Sequence, residues 1–154
     1  EENIMFPLTM FTNQSYEEKI ERVNNCLERV NLQNNNKLKI SELSGGMTKR
    51  VSIARAIVMK PKYLLCDEPN SGLDPRTAII IDNLIKEISV EDDITTIVNT
   101  HDMNSVMEIG DSIAYINNGR ISWTGNKEEL LKSNNEQLNN FVFASELFKR
   151  IKNT

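Results

Sequence analysis

A short apolar run at residues 63–66 (YLLC) stops abruptly at Asp67 and Glu68. Such a continuous apolar run predicts a strand that is buried on both faces, as in parallel sheets. A second run, residues 94–99, is apolar and rich in β-branched residues, and His101 follows it within two positions. Both predicted strands therefore end in polar side chains, and acids at the end of a buried strand are typical of a functional site.

Helical patterns separate these strands. Residues 15–18 (SYEE) form a capping box, which predicts a helix to about Leu32. A second helix is predicted to begin at the glycine pair 45–46 and to close before Pro61, and Asp74-Pro75 begins a third that ends near Ser89. Strands alternating with helices predict an α/β fold with a largely parallel sheet and flanking helices.

The remaining residues predict smaller elements. Asp102 caps a short helix that stops at Gly110, and Asn118-Gly119 is the preferred pair for a tight hairpin turn. Asn126 caps a brief helix. The last predicted helix is amphipathic, and its apolar face is formed by Leu138, Phe141, Val142, Ser145, Phe148 and Ile151.

Composition narrows the class of protein. The chain has 154 residues, of which 39% are hydrophobic and 26% charged, and its net charge is -4. These values are typical of a globular domain, and the most apolar run, residues 78–81, is far shorter than the roughly 20 residues of a membrane span. The acidic balance disfavours nucleic acid as a partner. Cys26 and Cys66 lack the spacing of a zinc site or disulfide framework, which favours a reducing compartment.

Two groups of residues indicate phosphate chemistry. Residues 43–47 (LSGGM) place a hydroxyl and two glycines at a helix N-terminus, where free N–H groups favour an anion, although an ordinary capping loop explains them equally well. Asp67 and Glu68 stand side by side, so one can hold Mg²⁺ through water while the other polarises a nucleophilic water. His101 is the only histidine and is poised to change charge near neutral pH.

In this order, the motifs resemble those of the ATP-binding cassette (ABC) ATPases over nearly the whole chain. The matching segments are the signature at 43–47 with the helical residues 49–56 that follow it, the Walker B strand at 63–69, the D-loop at 71–74 and the switch histidine His101. The resemblance implies the C-terminal portion of a P-loop NTPase domain with part of the helical signature subdomain. It divides the chain into a partial ATPase domain at 1–133, with a helical subdomain to about residue 60, and a C-terminal helix at 134–154.

The resemblance implies a role for each motif. Glu68 would be the general base, Asp67 the partner of Mg²⁺ through water, and His101 the switch that contacts the γ-phosphate of ATP. Asp74 would lie at the interface between two cassettes, and its place as a helix cap explains it equally well. The signature would clasp the nucleotide of a second cassette, which makes dimerisation a requirement; its residues are Ser44, Gly45, Gly46 and Met47.

Finer features are similar to the cassettes of Mla/Mce-type lipid transporters. Met47 stands where most cassettes have Gln, residues 1–8 resemble the segment after the Q-loop, and the C-terminal helix lies where these cassettes contact accessory proteins. The resemblance therefore implies that the complete protein hydrolyses ATP with Mg²⁺ as one of a pair of cassettes. These cassettes would be attached to transmembrane permease subunits at the cytoplasmic face of a membrane, in a transporter of phospholipid or a related lipid.

The resemblance also has a gap, because no G-x-x-x-x-G-K-[ST] loop occurs in the sequence. We therefore expect the chain to be the back portion of a longer cassette, to lack a central strand, and not to hydrolyse ATP alone. Two alternatives stay open: a soluble ABC-type ATPase outside any transporter, and an interaction subunit that only lends its signature to an intact cassette.

Overall fold

The structure, a computed structural model, describes residues 1–144. It divides into two compact units, the first spanning Glu1–Asn99 and the second beginning at Thr100. Alternating helices and parallel strands in the first unit confirm the predicted α/β class. The boundaries inferred from the family resemblance, at residues 60 and 133, stay predictions.

The first unit contains four α-helices and two strands, with a single 3₁₀ turn at Ile40–Glu42. In chain order they are α1 (Glu2–Phe11), α2 (Tyr16–Arg29), α3 (Gly45–Ile57), β1 (Tyr63–Asp67), α4 (Pro75–Glu91) and β2 (Thr95–Asn99). Helix α3 packs against α1, α2 and α4, and buried aliphatic side chains from all four helices form the core.

The capping signals act as predicted. The Ser15 hydroxyl accepts a hydrogen bond from the Glu18 N–H, and the Glu18 carboxylate accepts one from the Ser15 N–H, which confirms the capping box. The helix ends at Arg29 rather than near Leu32, because Asn31 adopts a left-handed backbone with φ 54°. Asparagine tolerates this conformation better than most residues, and it turns the chain so that Leu32 is buried.

Strands β1 and β2 pair in parallel, with Tyr63 opposite Thr95 and Asp67 opposite Asn99. The prediction that β1 is buried on both faces is wrong. Leu64 is 5% exposed, but Tyr63 and Leu65 are 69% and 74% exposed. Successive side chains of a strand point to opposite faces, and the described residues of this unit cover only one of them.

The described part of the second unit, residues 100–144, holds a hairpin and three short helices. In chain order they are α5 (Met103–Ile109), β3 (Ile113–Asn117), β4 (Arg120–Gly125), α6 (Lys127–Leu131) and α7 (Glu136–Val142). The hairpin prediction is confirmed, because Asn118 and Gly119 have φ values of 50° and 71°, the left-handed pair that a type I′ turn requires. Asn126 and Glu129 form the capping box of α6.

Helix α7 packs within its own unit. Leu138, Val142 and Phe143 join Leu130 in a buried apolar cluster, whereas Phe141 is 47% exposed and lies against the ring of Tyr115. This half of the predicted amphipathic face is therefore mainly a core contact. Its continuation falls outside the described residues and comprises Ser145, Phe148 and Ile151.

Two further observations bear on composition. No helix among residues 1–144 is long and apolar enough to cross a membrane. Both cysteines are free thiols, Cys26 buried and Cys66 half-buried, and burial raises the pKa of each thiol above its ordinary value of 9.0.

Candidate active site

The signature residues form the capped N-terminus of α3. The Ser44 hydroxyl accepts a hydrogen bond from the Met47 N–H at 3.3 Å, and the Ser44 carbonyl accepts one from the Thr48 N–H at 2.9 Å. Gly45 and Gly46 begin the helix, where the first N–H groups have no partner within the helix. The capping interpretation is thus confirmed, and the same geometry also favours an anion at this end.

The two glycines differ in their surroundings. A Cβ atom at Gly46 would lie 2.7 Å from Cγ2 of Thr77, whereas one at Gly45 would lie 3.4 Å from Cδ2 of Leu73. The N-terminus of α3 therefore approaches the beginning of α4 so closely that residue 46 has no room for a side chain. This packing brings the signature and the D-loop of one chain together.

Asp74 is the N-cap of α4. Its Oδ1 accepts hydrogen bonds from the N–H groups of Arg76 and Thr77, each at 3.1 Å, and the Thr77 hydroxyl donates to its Oδ2. The hydrogen bond from the Thr77 hydroxyl is the main cause that lowers the pKa of Asp74 below its ordinary value of 3.8. The structural role of Asp74 is confirmed, and its place at an interface between cassettes stays a prediction.

Asp67 is the last residue of β1 and is exposed. Its Oδ1 accepts a hydrogen bond of 2.7 Å from the side-chain amide of Asn99, the residue opposite it on β2. Sequence reasoning missed Asn99, although its place at the end of the neighbouring strand was a usable signal. The pair fixes the orientation of the Asp67 carboxylate.

Glu68 follows immediately and is half-buried, with a left-handed backbone of φ 46°. Its N–H donates to the Asn99 carbonyl at 2.9 Å, and its own carbonyl accepts from the Ser71 N–H at 3.2 Å. The same carbonyl accepts a hydrogen bond of 3.0 Å from Nζ of Lys49 on α3. Sequence reasoning gave Lys49 no site role, because a lysine on a helix is usually a surface residue.

His101 belongs to the second unit, where it is exposed and directly precedes Asp102, the N-cap of α5. The Asp102 carboxylate accepts a hydrogen bond from the Asn104 N–H at 2.9 Å, so the cap predicted for this helix is confirmed. The switch role of His101 stays a prediction.

The Asp67 carboxylate suits a role beside Mg²⁺. A carboxylate can accept several donors, so Asp67 can keep the Asn99 hydrogen bond and also accept one from a metal-bound water. Within residues 1–144, no three His, Cys, Asp or Glu side chains gather into a metal-binding group. Mg²⁺ commonly uses only one or two carboxylates together with the phosphates of its substrate, which agrees with a site of this kind.

Comparison with known proteins identifies relatives that agree with the motifs described above. A family described as "ABC transporter" matches residues 1–71. The methionine import ATP-binding protein MetN of Bacillus subtilis is 37% identical over 137 residues, which cover 89% of this chain and 40% of that protein. The phosphonates import ATP-binding protein PhnC 2 of Haloarcula marismortui is 41% identical over 113 residues, which cover 73% of this chain and 42% of that protein.

A solved structure agrees with these matches. The dimeric structure of MJ0796, a bacterial ABC transporter cassette, superposes with a TM-score of 0.71 at 34% identity, over 81% of this chain and 55% of that chain. A second dimeric structure of the same cassette, in a post-hydrolysis state with ADP and Pi, gives a TM-score of 0.70. The chain spans about two-fifths of the length of the curated relatives named above.

Proposed function

Because the chain belongs to the ATP-binding cassettes of ABC transporters, we propose that the complete protein binds and hydrolyses ATP. The observation that carries the proposal is the adjacent pair Asp67 and Glu68 at the carboxyl end of β1. The Asp67 side chain and the Glu68 backbone are both held by Asn99. Two neighbouring acids at a strand end, one with its carboxylate held and the other with its backbone held, suit phosphoryl transfer, in which positioning and charge neutralisation supply most of the catalysis.

In this proposal the Glu68 carboxylate orients the attacking water and accepts its proton. Asp67 would hold Mg²⁺ through a water molecule, and the bound ion would neutralise phosphate charge. His101 would contact the γ-phosphate. The N-terminus of α3, with Ser44 and the two glycines after it, would bind the nucleotide of a second cassette through its free N–H groups.

The substitution Glu68→Gln in the full-length protein tests this assignment. The amide keeps the shape of the side chain but cannot accept the proton, so we expect ATP binding to persist and turnover to fall by about 100-fold or more. Glu87→Gln is the matched control, because Glu87 is an exposed acid on α4. Turnover that is unchanged in Glu68→Gln, measured by phosphate release, contradicts the proposal.

We further propose that the complete protein works as a pair of cassettes attached to transmembrane permease subunits at the cytoplasmic face of a membrane. The names of the relatives and the dimeric state of the related cassette support this arrangement. Light scattering of Glu68→Gln with and without ATP tests the pairing: doubling of the mass with ATP supports it, and an unchanged monomer opposes it.

We also propose a class of transported substrate, on finer features of the sequence. Met47 and the other lipid-type features support a phospholipid or related lipid, whereas the relatives named above import methionine and phosphonates. Turnover of the reconstituted transporter with each compound separates the two. Stimulation by phospholipid supports the lipid proposal, and stimulation by methionine or a phosphonate without any response to lipid replaces it with solute import.

A further inference from the structure

Lys49 links the signature helix to the backbone of Glu68. It is the fifth residue of α3, its side chain is half-buried, and its Nζ lies 3.0 Å from the Glu68 carbonyl oxygen, 19 residues along the chain. Lysine side chains on helices are ordinarily solvated. The partial burial of Lys49 and the hydrogen bond to a defined partner set it apart from a solvated surface lysine.

The partner of Lys49 has an unfavourable backbone conformation. A non-glycine residue with φ 46° is held there only when its surroundings over-determine it. Main-chain groups of Asn99 and Ser71 bond the N–H and the carbonyl of Glu68, and Lys49 adds a charged donor to the same carbonyl. Hydrogen bonds from a charged donor are stronger than those between neutral groups.

We propose that Lys49 is a positioning residue for Glu68. By fixing the Glu68 carbonyl, the ammonium group fixes the peptide plane that follows the Glu68 Cα and so the direction in which the side chain leaves the backbone, which favours a carboxylate directed towards the attacking water. Lys49 touches neither nucleotide nor water in this role. The inference rests on the proposed ATP hydrolysis, because it requires Glu68 to be the general base, and reaction rates are sensitive to small displacements of such a group.

The test compares variants of the full-length protein. Lys49→Met removes the donor but keeps a long aliphatic side chain, Lys49→Arg keeps a charged donor, and Arg55→Met is the control for charge removal from the exposed face of α3. We expect Lys49→Met to lower kcat by about tenfold with little change in KM for ATP, the effect of losing one charge-assisted hydrogen bond. Lys49→Arg should restore kcat to within about threefold, and Arg55→Met should leave it unchanged.

Two results would overturn the inference. One is a kcat of Lys49→Met equal to that of the unsubstituted protein. The other is a parallel loss of kcat, ATP affinity and thermal stability in Lys49→Met that Lys49→Arg does not reverse. Such a loss would show that the role of Lys49 is purely structural. If Lys49→Met does not fold, Lys49→Gln replaces it, because its amide carries no charge and its side chain is one bond shorter than that of lysine.

The Glu68→Gln variant separates this inference from the proposed function. If Glu68→Gln is inactive and Lys49→Met is as active as the unsubstituted protein, only the positioning role of Lys49 is overturned. If Glu68→Gln retains full turnover, the proposed general base is wrong and the role of Lys49 is overturned together with it.

Discussion

The stability of alanine variants tests why the signature needs glycine at position 46. The Cβ of an alanine at this position would lie 2.7 Å from Cγ2 of Thr77, about 1 Å closer than an ordinary contact between carbon atoms. Thr77 cannot rotate away cheaply, because its hydroxyl donates to Asp74. Overpacking of this kind lowers the free energy of unfolding by about 1–3 kcal/mol, and the higher helix propensity of alanine offsets up to about 1 kcal/mol of that loss.

We therefore expect Gly46→Ala to lower the free energy of unfolding of the full-length protein by about 1–2 kcal/mol. Gly45→Ala is the matched control, because its Cβ would meet only the flexible end of Leu73 at 3.4 Å, so its effect should be close to neutral. Urea denaturation followed by circular dichroism measures both values. Equal free energies for the two alanine variants would refute the packing argument.

Thr77→Ser provides the second arm of this experiment. Serine lacks Cγ2 but keeps the hydroxyl that bonds Asp74, so adding Thr77→Ser to Gly46→Ala should recover about 1 kcal/mol or more. No recovery would place the cost elsewhere than at Thr77. If the double variant regains stability but not ATP turnover, the glycine is also needed for contact with the nucleotide.

Two other predictions concern the segment between β1 and α4. The lowered pKa of Asp74 stabilises the fold at pH above its ordinary value of 3.8, and this contribution is lost as the pH falls through the folded-state pKa. The free energy of unfolding should therefore fall more steeply in acid for the unsubstituted protein than for Asp74→Asn, which keeps a cap but cannot titrate. Parallel pH profiles of the two proteins would contradict this prediction. Asn70 is buried and donates to both carboxylate oxygens of buried Asp82 at 3.2 Å. Asn70→Leu should therefore lower the free energy of unfolding by about 2 kcal/mol in urea denaturation, and the double variant with Asp82→Leu should lose less than Asn70→Leu alone. An additive loss of stability in the double variant would contradict this prediction.

Local signals in the sequence predicted most of the elements because their causes are local. The capping box at Ser15, the cap at Asp74 and the turn at Asn118-Gly119 each depend on residues within three positions of one another. Helix α1 was not predicted from its pattern, and Pro7 within it is a signal that argues against a helix. The adjacent acids Asp67 and Glu68 were found because they directly follow the apolar run of β1.

The features that sequence reasoning missed depend on tertiary contacts. The exposure of Leu65 depends on which elements lie over the sheet, and an apolar run carries no information on whether its cover is present. The contact between Lys49 and Glu68 joins residues 19 positions apart, and no periodicity within α3 distinguishes this lysine from a solvated one. The hydrogen bond between Asn99 and Asp67 likewise requires the register of two strands.

The buried Cys26 thiol and the half-buried Cys66 thiol have a practical consequence for labelling. Nucleophilic attack requires the thiolate, and the raised pKa values of Cys26 and Cys66 keep both groups protonated at neutral pH. A cysteine introduced at an exposed position such as Ser122 in β4 would therefore react with maleimide dyes ahead of Cys26 and Cys66. A fluorescent probe attached there could then test the proposed approach of two cassettes with Cys26 and Cys66 left in place.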